Sequence, residues 1–330
     1  MSDGPSVVVV IATYRRPHYV RECLEHLAVQ TLRADRIVVV DASPDDETAA
    51  VVCDFPHVEY LRNDHGIGTL ATSRAIGIAG AGEDVVAFID DDAFARPDWL
   101  ERLVAPYSEP DVAAVGGRTD NGRPEELDQG VGQIGLILPD GRLTGYFAAD
   151  PGRRVDVDHM MGANMSARLS VVSELGGIRD YYPGTCLRED SDLPLRMRRR
   201  GWRVVYEPAA VVRHMAGDYA KGRRFDSRYR FYGARNHIVL LATVYGWRRA
   251  LPWRYLRTAF TAMFNEIVDG LRAVKDPARE GLHAKIRGVG GGFRRAAIDF
   301  AGLTVGCAAS LRRHDRAHTV TLPGPGVTRS

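Results

Sequence analysis

The chain has 330 residues, 45% hydrophobic and 26% charged, the composition of an ordinary folded protein and length enough for one large α/β domain with an appendage, or for two domains. Four scattered cysteines (Cys23, Cys53, Cys186, Cys307) without a CxxC pair argue against a zinc centre or disulfide framework and fit a reducing cytosol, while the lack of any apolar run of about 18 residues or of a charged leader argues against a membrane span or signal peptide. The net charge of +2 conceals a split: from Lys221 onward 21 Lys+Arg face 7 Asp+Glu (+14), whereas the preceding residues carry 23 against 35 (−12).

Ser6 to Ala12 is a continuous Val/Ile run, the mark of a strand buried on both faces of a parallel sheet. Thr13-Tyr14-Arg15-Arg16-Pro17 breaks it, and a helix is expected from Pro17 to about Gln30, with Val20, Cys23, Leu24, Leu27 and Ala28 on one face. Arg36 to Asp41 reads as a second strand, followed by a helix cap at Ser43-Pro44-Asp45-Asp46-Glu47. A third strand, Val58 to Leu61, leads into Arg62-Asn63-Asp64, and a helix is predicted from about Thr69 to Gly80. A fourth strand then runs through Val85, Val86, Ala87, Phe88 and Ile89 into Asp90-Asp91-Asp92. Three adjacent carboxylates at the end of a buried strand need a counter-charge, and hard oxygen ligands favour magnesium or manganese.

This alternation predicts a mostly parallel, doubly wound sheet, in which ligands bind at the carboxyl ends of the strands. The residues released there are Thr13 to Arg15, Asp41, Arg62 to Asp64 and Asp90 to Asp92: a poor core and a plausible nucleotide site. Neither GxGxxG after the first strand nor GxxxxGK[ST] occurs, so a dinucleotide fold and a P-loop are not expected. Further on, a helix (Pro97 to Tyr107) and a fifth strand (Val112 to Gly117) are predicted, then a long excursion over 118–158 with a hairpin at Leu136 to Tyr146. Met160 to Ser166 is a run of small residues between methionines, and a helix from Ser170 to Leu175 closes on Gly176-Gly177. Glu189, Asp190 and Asp192 begin a helix that ends in Arg196, Arg198, Arg199 and Arg200, as the macrodipole prefers. Strands at Trp202 to Glu207 and Ala210 to Arg213 end at His214. Beyond them, Tyr219 to Tyr245 and Thr258 to Val274 read as helices mixing aromatic with basic residues, Ile298 to Leu311 as an apolar stretch too short to span a bilayer, and the last dozen residues as disordered. The basic tail suits nucleic acid, an anionic membrane surface or an acidic acceptor, or it folds back on the acidic half.

The segments VVVVIATYRRP, IVVVDASP, LRNDHGIGTLATSRAIGIA, VVAFIDDDA, MMGANMSAR and LREDSDLPLRMRRRGW, in this order, resemble the inverting family 2 glycosyltransferases over roughly residues 5 to 215. The resemblance implies a GT-A fold: a glycosyltransferase domain over 1–217 (nucleotide-binding half about 5–117, acceptor half about 118–217), followed by a helical region at 218–318. It also implies site residues. Thr13, Tyr14 and Arg15 line the base and diphosphate, and Asp41 accepts a hydrogen bond from the base. Arg62 and Arg74 contact base or phosphate. Asp90 and Asp92 are the outer members of the DxD motif, Asp90 facing the ribose and Asp92 the metal, with Asp91 between them. Gly162, Ala163 and Asn164 shape the sugar and acceptor floor. Glu189-Asp190 match the family's ED pair, with Asp190 the general base, and His214 falls where several members have a further metal or diphosphate ligand. Tyr14-Arg15 and Ser73-Arg74-Ala75 depart from the more common Tyr-Asn and Ala-Arg-Asn, which leaves base and sugar specificity open.

The expected reaction is transfer of a sugar from a UDP, dTDP or GDP donor to an acceptor hydroxyl by one displacement, with Mn2+ or Mg2+ as cofactor. The acceptor is expected to be a glycan, a lipid-linked saccharide or a natural product, the location cytoplasmic with peripheral contact at the inner face of the membrane, and no nucleic acid is expected as partner. Two other classes keep the same pocket: a sugar-phosphate nucleotidyltransferase, against which the lack of a Gly-rich triphosphate loop with a lysine speaks, and a non-catalytic nucleotide-sugar-binding or scaffold protein.

Overall fold

The computed structural model describes residues 4–215, 226–272 and 282–312, without the side chains of 282–288. The Val/Ile runs form four parallel strands, β1 (Val7–Thr13), β2 (Arg36–Asp41), β3 (Val58–Arg62) and β4 (Val85–Asp90), in the spatial order β3-β2-β1-β4. Their carboxyl ends are level, because Thr13 pairs with Asp41, Asp41 with Arg62, and Ala12 with Asp90. Side chains alternate between two cores. Val7, Val9 and Ile11 pack with α1 (Pro17–Ala28) and α4 (Trp99–Val104), while Val8 and Val10 pack with α3 (Leu70–Gly77) on the opposite face. A short helix, α2 (Glu47–Val52), joins β2 to β3; the Asp46 side chain does not cap it.

Beyond β4 the sheet ceases to be parallel. A short β5 (Ala93–Ala95) is followed, after α4 and a 3-10 turn, by β6 (Val112–Asp120), longer than expected. Then β7 (Val155–Asp156), β8 (Asn164–Arg168), α5 (Leu169–Glu174), α6 (Glu189–Arg199) and β9 (Arg203–His214) complete a nine-stranded sheet of order β3-β2-β1-β4-β8-β6-β9-β5, with β7 on β9. Strand β8 runs antiparallel between β4 and β6, so the sheet is mixed, with its parallel part in β1 to β4 and in the β6–β9 pair. The two strands expected before His214 are one, with a register shift opposite Gly117 and Arg118. The predicted hairpin forms, with an Ile137–Leu143 bridge and Leu138 N–H donating to Arg142 O at 2.8 Å.

Three helices follow: α7 (Ser227–Tyr245), α8 (Ala250–Arg272) and α9 (Leu282–Leu311). The start of the helix expected from Tyr219, the end of that expected to Val274 and the last dozen residues lie outside the described residues. Helix α7 packs Val239, Leu240 and Val244 against Tyr181, Tyr182 and Leu195, so the tail shares a core with the sheet-bearing body. Among the described residues no helix is long and apolar enough to cross a membrane.

Candidate active site

The site starts from the level strand ends. Asp90, Asp91 and Asp92 leave β4 pointing in different directions, and each meets a different partner. Asp91 is buried; it accepts Thr13 Oγ1–H at 2.7 Å and Arg16 Nη1–H at 3.0 Å. Burial pushes its carboxyl up to about 7, with the Arg16 charge opposing. Asp92 accepts from Arg16 at 3.2 Å and lies 3.3 Å from His214 Nε2. Strand pairing makes that contact: β5 pairs with the end of β9, Ala93 opposite His214, and Met215 N–H donates to Asp92 O. Asp90 is the most open of the three and takes Arg74 at 3.3 Å. The protein therefore supplies much of the counter-charge that the triple aspartate demands.

Arg74 is the hub on the other side. It is 2% exposed and sits on α3, which lies so close on β1 that a Cβ at Gly77 would come within 2.4 Å of Val10. Its guanidinium pairs with Glu189, contacts Asp90, donates to Gly162 O at 2.8 Å and lies over the Phe88 ring. Burial pushes Glu189 up to about 8 against the pull of Arg74. Asp190, next on α6, accepts the Gly162 N–H at 3.2 Å and Ser191 Oγ at 3.2 Å. Cys186 (φ 56°) and Arg188 (φ 81°), just before this pair, have left-handed backbone, a strained approach of the kind that occurs at functional sites. A Cβ at Gly162 would come 2.7 Å from Arg74 Nη2 and 3.3 Å from Asp190 Cβ, so only glycine fits between them without displacement.

The fold thus brings Thr13, Asp90, Asp91, Asp92, Arg74, Gly162, Glu189, Asp190 and His214 together. Tyr14 and Arg15 lie at the rim; Arg15 has φ 55° and a largely exposed side chain. Arg62 is also at the rim, bound to Asp46 at 2.7 Å and to Asp45 O. Asp41 is fully covered: its carboxylate takes the Ser43 N–H at 2.8 Å, the Ser43 hydroxyl and Tyr60 O–H at 3.1 Å, and so organises the turn after β2. Ala163 is in the core, and Asn164 is a buried clamp, its amide accepting from Trp99 Nε1 and donating to Arg118 O and Ala210 O. Of the expected sugar floor only Gly162 reaches the charged cluster. Sequence reasoning missed Arg16 as the bridge between Asp91 and Asp92, although it stands three residues after Thr13 at a strand end. It also missed His159, whose Nδ1 lies 3.2 Å from Ser191 Oγ and whose Nε2 lies 2.8 Å from Thr144 O. No local pattern marks that histidine.

Asp90, Asp92 and His214 offer two carboxylate oxygens and an imidazole nitrogen within 4.8 Å of one another, a donor set that fits manganese or magnesium. An acidic strand end, a histidine and the Glu189-Asp190 pair on a facing helix thus converge at one edge of a mixed α/β sheet. The model of the family described as glycosyl transferase family 2 matches residues 8–173, and the chain belongs to that family. Relatives include the glucosyl-dolichyl phosphate glucuronosyltransferase of Haloferax volcanii, 32% identical over 64% of this chain and 70% of the relative. The pre-mycofactocin glycosyltransferase of Mycobacterium tuberculosis is 30% identical over 70% of this chain, which spans 47% of that relative. Among solved structures, the mannosyltransferase PcManGT from Pyrobaculum calidifontis, in complex with GDP-Man and Mn2+, is similar at TM-score 0.54 and 18% identity, over 93% of this chain and 88% of the other. GalNAc-T7 with UDP, GalNAc and Mn2+ is similar at TM-score 0.56 and 16% identity, over 73% and 48%. The fold is that of the GT-A transferases, and the protein is a glycosyltransferase.

Proposed function

We propose that the chain moves a sugar from a nucleotide-diphosphate donor to an acceptor hydroxyl with inversion, in a divalent-metal-dependent reaction. The observation that carries this reading is the single guanidinium of Arg74, which ties the acidic strand end, through Asp90, to the Glu189-Asp190 pair. Donor-binding and proton-accepting groups are thereby held in one rigid frame. Asp90, Asp92 and His214 would hold Mn2+ or Mg2+, in keeping with the Mn2+ of the two similar structures. Such an ion, when bound, neutralises charge on the diphosphate. Thr13, Tyr14, Arg15 and Arg62 line the mouth where the nucleotide enters. The acceptor oxygen attacks the anomeric carbon as its proton passes to Asp190, and the bond from that carbon to the diphosphate breaks, so the nucleoside diphosphate leaves and the centre inverts. The Gly162 N–H and Ser191 O–H aim the Asp190 carboxylate. The acceptor is a glycan, lipid-linked saccharide or natural product, and the protein acts in the cytoplasm, at the inner face of the membrane.

The test is a panel of UDP, dTDP and GDP sugars with and without manganese, read as melting-temperature shift and as donor turnover. Asp190→Asn should retain the donor-induced shift and lower turnover by about a hundredfold or more. Asp92→Ala should lose the manganese dependence together with activity. Full turnover in either variant overturns the assignment of that residue.

A further inference from the structure

Every exposed Phe and Trp among the described residues lies on α8 or α9. On α8, Trp253 (59% exposed), Phe260, Phe264 (65%) and Leu271 recur at intervals of seven, four and seven, which puts them on one face of a helix. On α9, Phe293 and Phe300 are seven apart. The helices run antiparallel, with Arg295 bonded to Glu266 and the Phe300 ring 6.4 Å from that of Phe260, so the two rows merge into one apolar band. The opposite sides of these helices are satisfied: Met263 and Leu303 pack on Ile238 of α7. The band lies on the side of these helices away from that inner core.

Charge surrounds this band in a particular way. The acids Glu266 and Asp299 are taken up by Arg230 and Arg295 inside the bundle. Arg248, Arg249, Arg254 and Arg257, at the Trp253 end, are exposed and have no acidic partner among the described residues. Arg230, Arg272 and Arg295 pair with acids of the tail itself, and links from the tail to the body include donations to backbone carbonyls, as from Arg228 to Gly184 O and Arg235 to Tyr181 O. The charges of Arg248, Arg249, Arg254 and Arg257 are therefore not cancelled by any acid of the described residues. A second copy of the chain laid on the band would bring apolar rows of the same kind together, and the exposed acid of the described α8, Asp269, is already paired with Arg272. Anionic lipid headgroups above an acyl layer match both parts, and a tryptophan at the basic end suits the headgroup level.

We propose that the α8–α9 face is a docking surface for an anionic lipid bilayer, on which the two helices lie flat. Because α7 holds the segment before the catalytic pair, with Asn236 donating to Leu187 O at 3.1 Å, the docked bundle fixes the acceptor side of the site relative to the bilayer. This deepens the proposed location at the membrane and is independent of the transfer chemistry.

The experiment is flotation of the full-length protein with vesicles of phosphatidylcholine alone or mixed with phosphatidylglycerol, at low and high salt. Binding should require phosphatidylglycerol, weaken as salt screens the arginines, and fall about tenfold or more in Phe260→Ser/Phe264→Ser. Brominated lipid should quench tryptophan fluorescence in the unaltered chain, and less so in Trp253→Phe. Melting temperature reports that the variants are folded, and donor hydrolysis without vesicles reports on the transfer reading separately. Absence of binding to phosphatidylglycerol vesicles, equal binding by the double variant, or self-association that the double variant abolishes while vesicle binding persists would each overturn the proposal.

Discussion

One guanidinium faces three carboxylates at the heart of the site: Arg74 pairs with Glu189, contacts Asp90 and feels the charge of Asp190. Glu189 is the most enclosed of the three, and burial outweighs the pull of Arg74 and pushes its carboxyl up to about 8, with the neighbouring Asp190 and Asp90 charges adding to the rise. The proposed proton acceptor is its neighbour Asp190, which accepts the Gly162 N–H and the Ser191 hydroxyl. The consequence for stability has a definite sign. In the unfolded chain Glu189 titrates near the ordinary glutamate value of about 4.3, so between about pH 5 and 8 the folded state holds a proton that the unfolded state has lost. Raising pH through that window therefore removes stability. In Glu189→Gln the amide holds its place without titrating, and the melting temperature should fall less steeply from pH 5 to 8 than in the unaltered protein. Equal slopes would show that Glu189 is ionised throughout. The acidic residues of this cluster were legible in the sequence, because acids in a row after an apolar run are conspicuous. Their partners were less so: Arg74 was singled out for base or phosphate and not for Glu189, and Arg16 and His159 are ordinary residues until the fold sets them against Asp91 and Ser191.

At the scale of elements, local signals located β1 to β4 and α1, α3 and α5, since runs of Val and Ile and the 3.6-residue repeat are local, and the charge pattern marked α6. Sheet order is not local. That β8 slips antiparallel between β4 and β6 follows from what Asn164 and its neighbours pair with, and the small residues around it were read as a sugar floor instead. The segment 181–188 is another such case. It has no regular structure, yet it delivers Glu189 and Asp190, and α7 fastens it: Asn236 Nδ2 donates to Leu187 O at 3.1 Å and its Oδ1 accepts from Arg235, which also donates to Tyr181 O at 2.7 Å. Asn236 is completely buried. Asn236→Ala strands the Leu187 carbonyl and should cost about 1–3 kcal/mol, seen as a lower denaturation midpoint. Transfer should fall more than donor affinity, because the loosened segment leads into the proposed base and not to the strand ends. An equal loss in both would place the damage in the donor half.

For the whole molecule the question is whether the tail is an appendage. Its composition, basic and aromatic where the body is acidic, suggests a separate module, and the match to the family model ends at residue 173. The packing argues otherwise. Tyr182 and Leu195, both essentially without exposure, are covered by Val239, Leu240 and Val244 of α7, and Arg199 donates to Val244 O. His237 reaches the opposite wall, its Nε2 2.8 Å from Gly141 O at the tip of the hairpin, and burial drives its pKa to about 3, so it is a neutral imidazole. Removing the tail would uncover the apolar side of α6, the helix that carries the proposed catalytic pair. A single buried leucine or tyrosine-sized group returned to water costs about 1.5–3 kcal/mol, and domains are stable by only about 5–15 kcal/mol in all. A chain ended after residue 215 should therefore lose its cooperative unfolding transition or precipitate, and should not survive as a soluble, donor-binding fragment. A truncated protein that melts cooperatively and still binds a nucleotide sugar would show that the tail is a detachable module and that its arginines and aromatics serve only the surface they face.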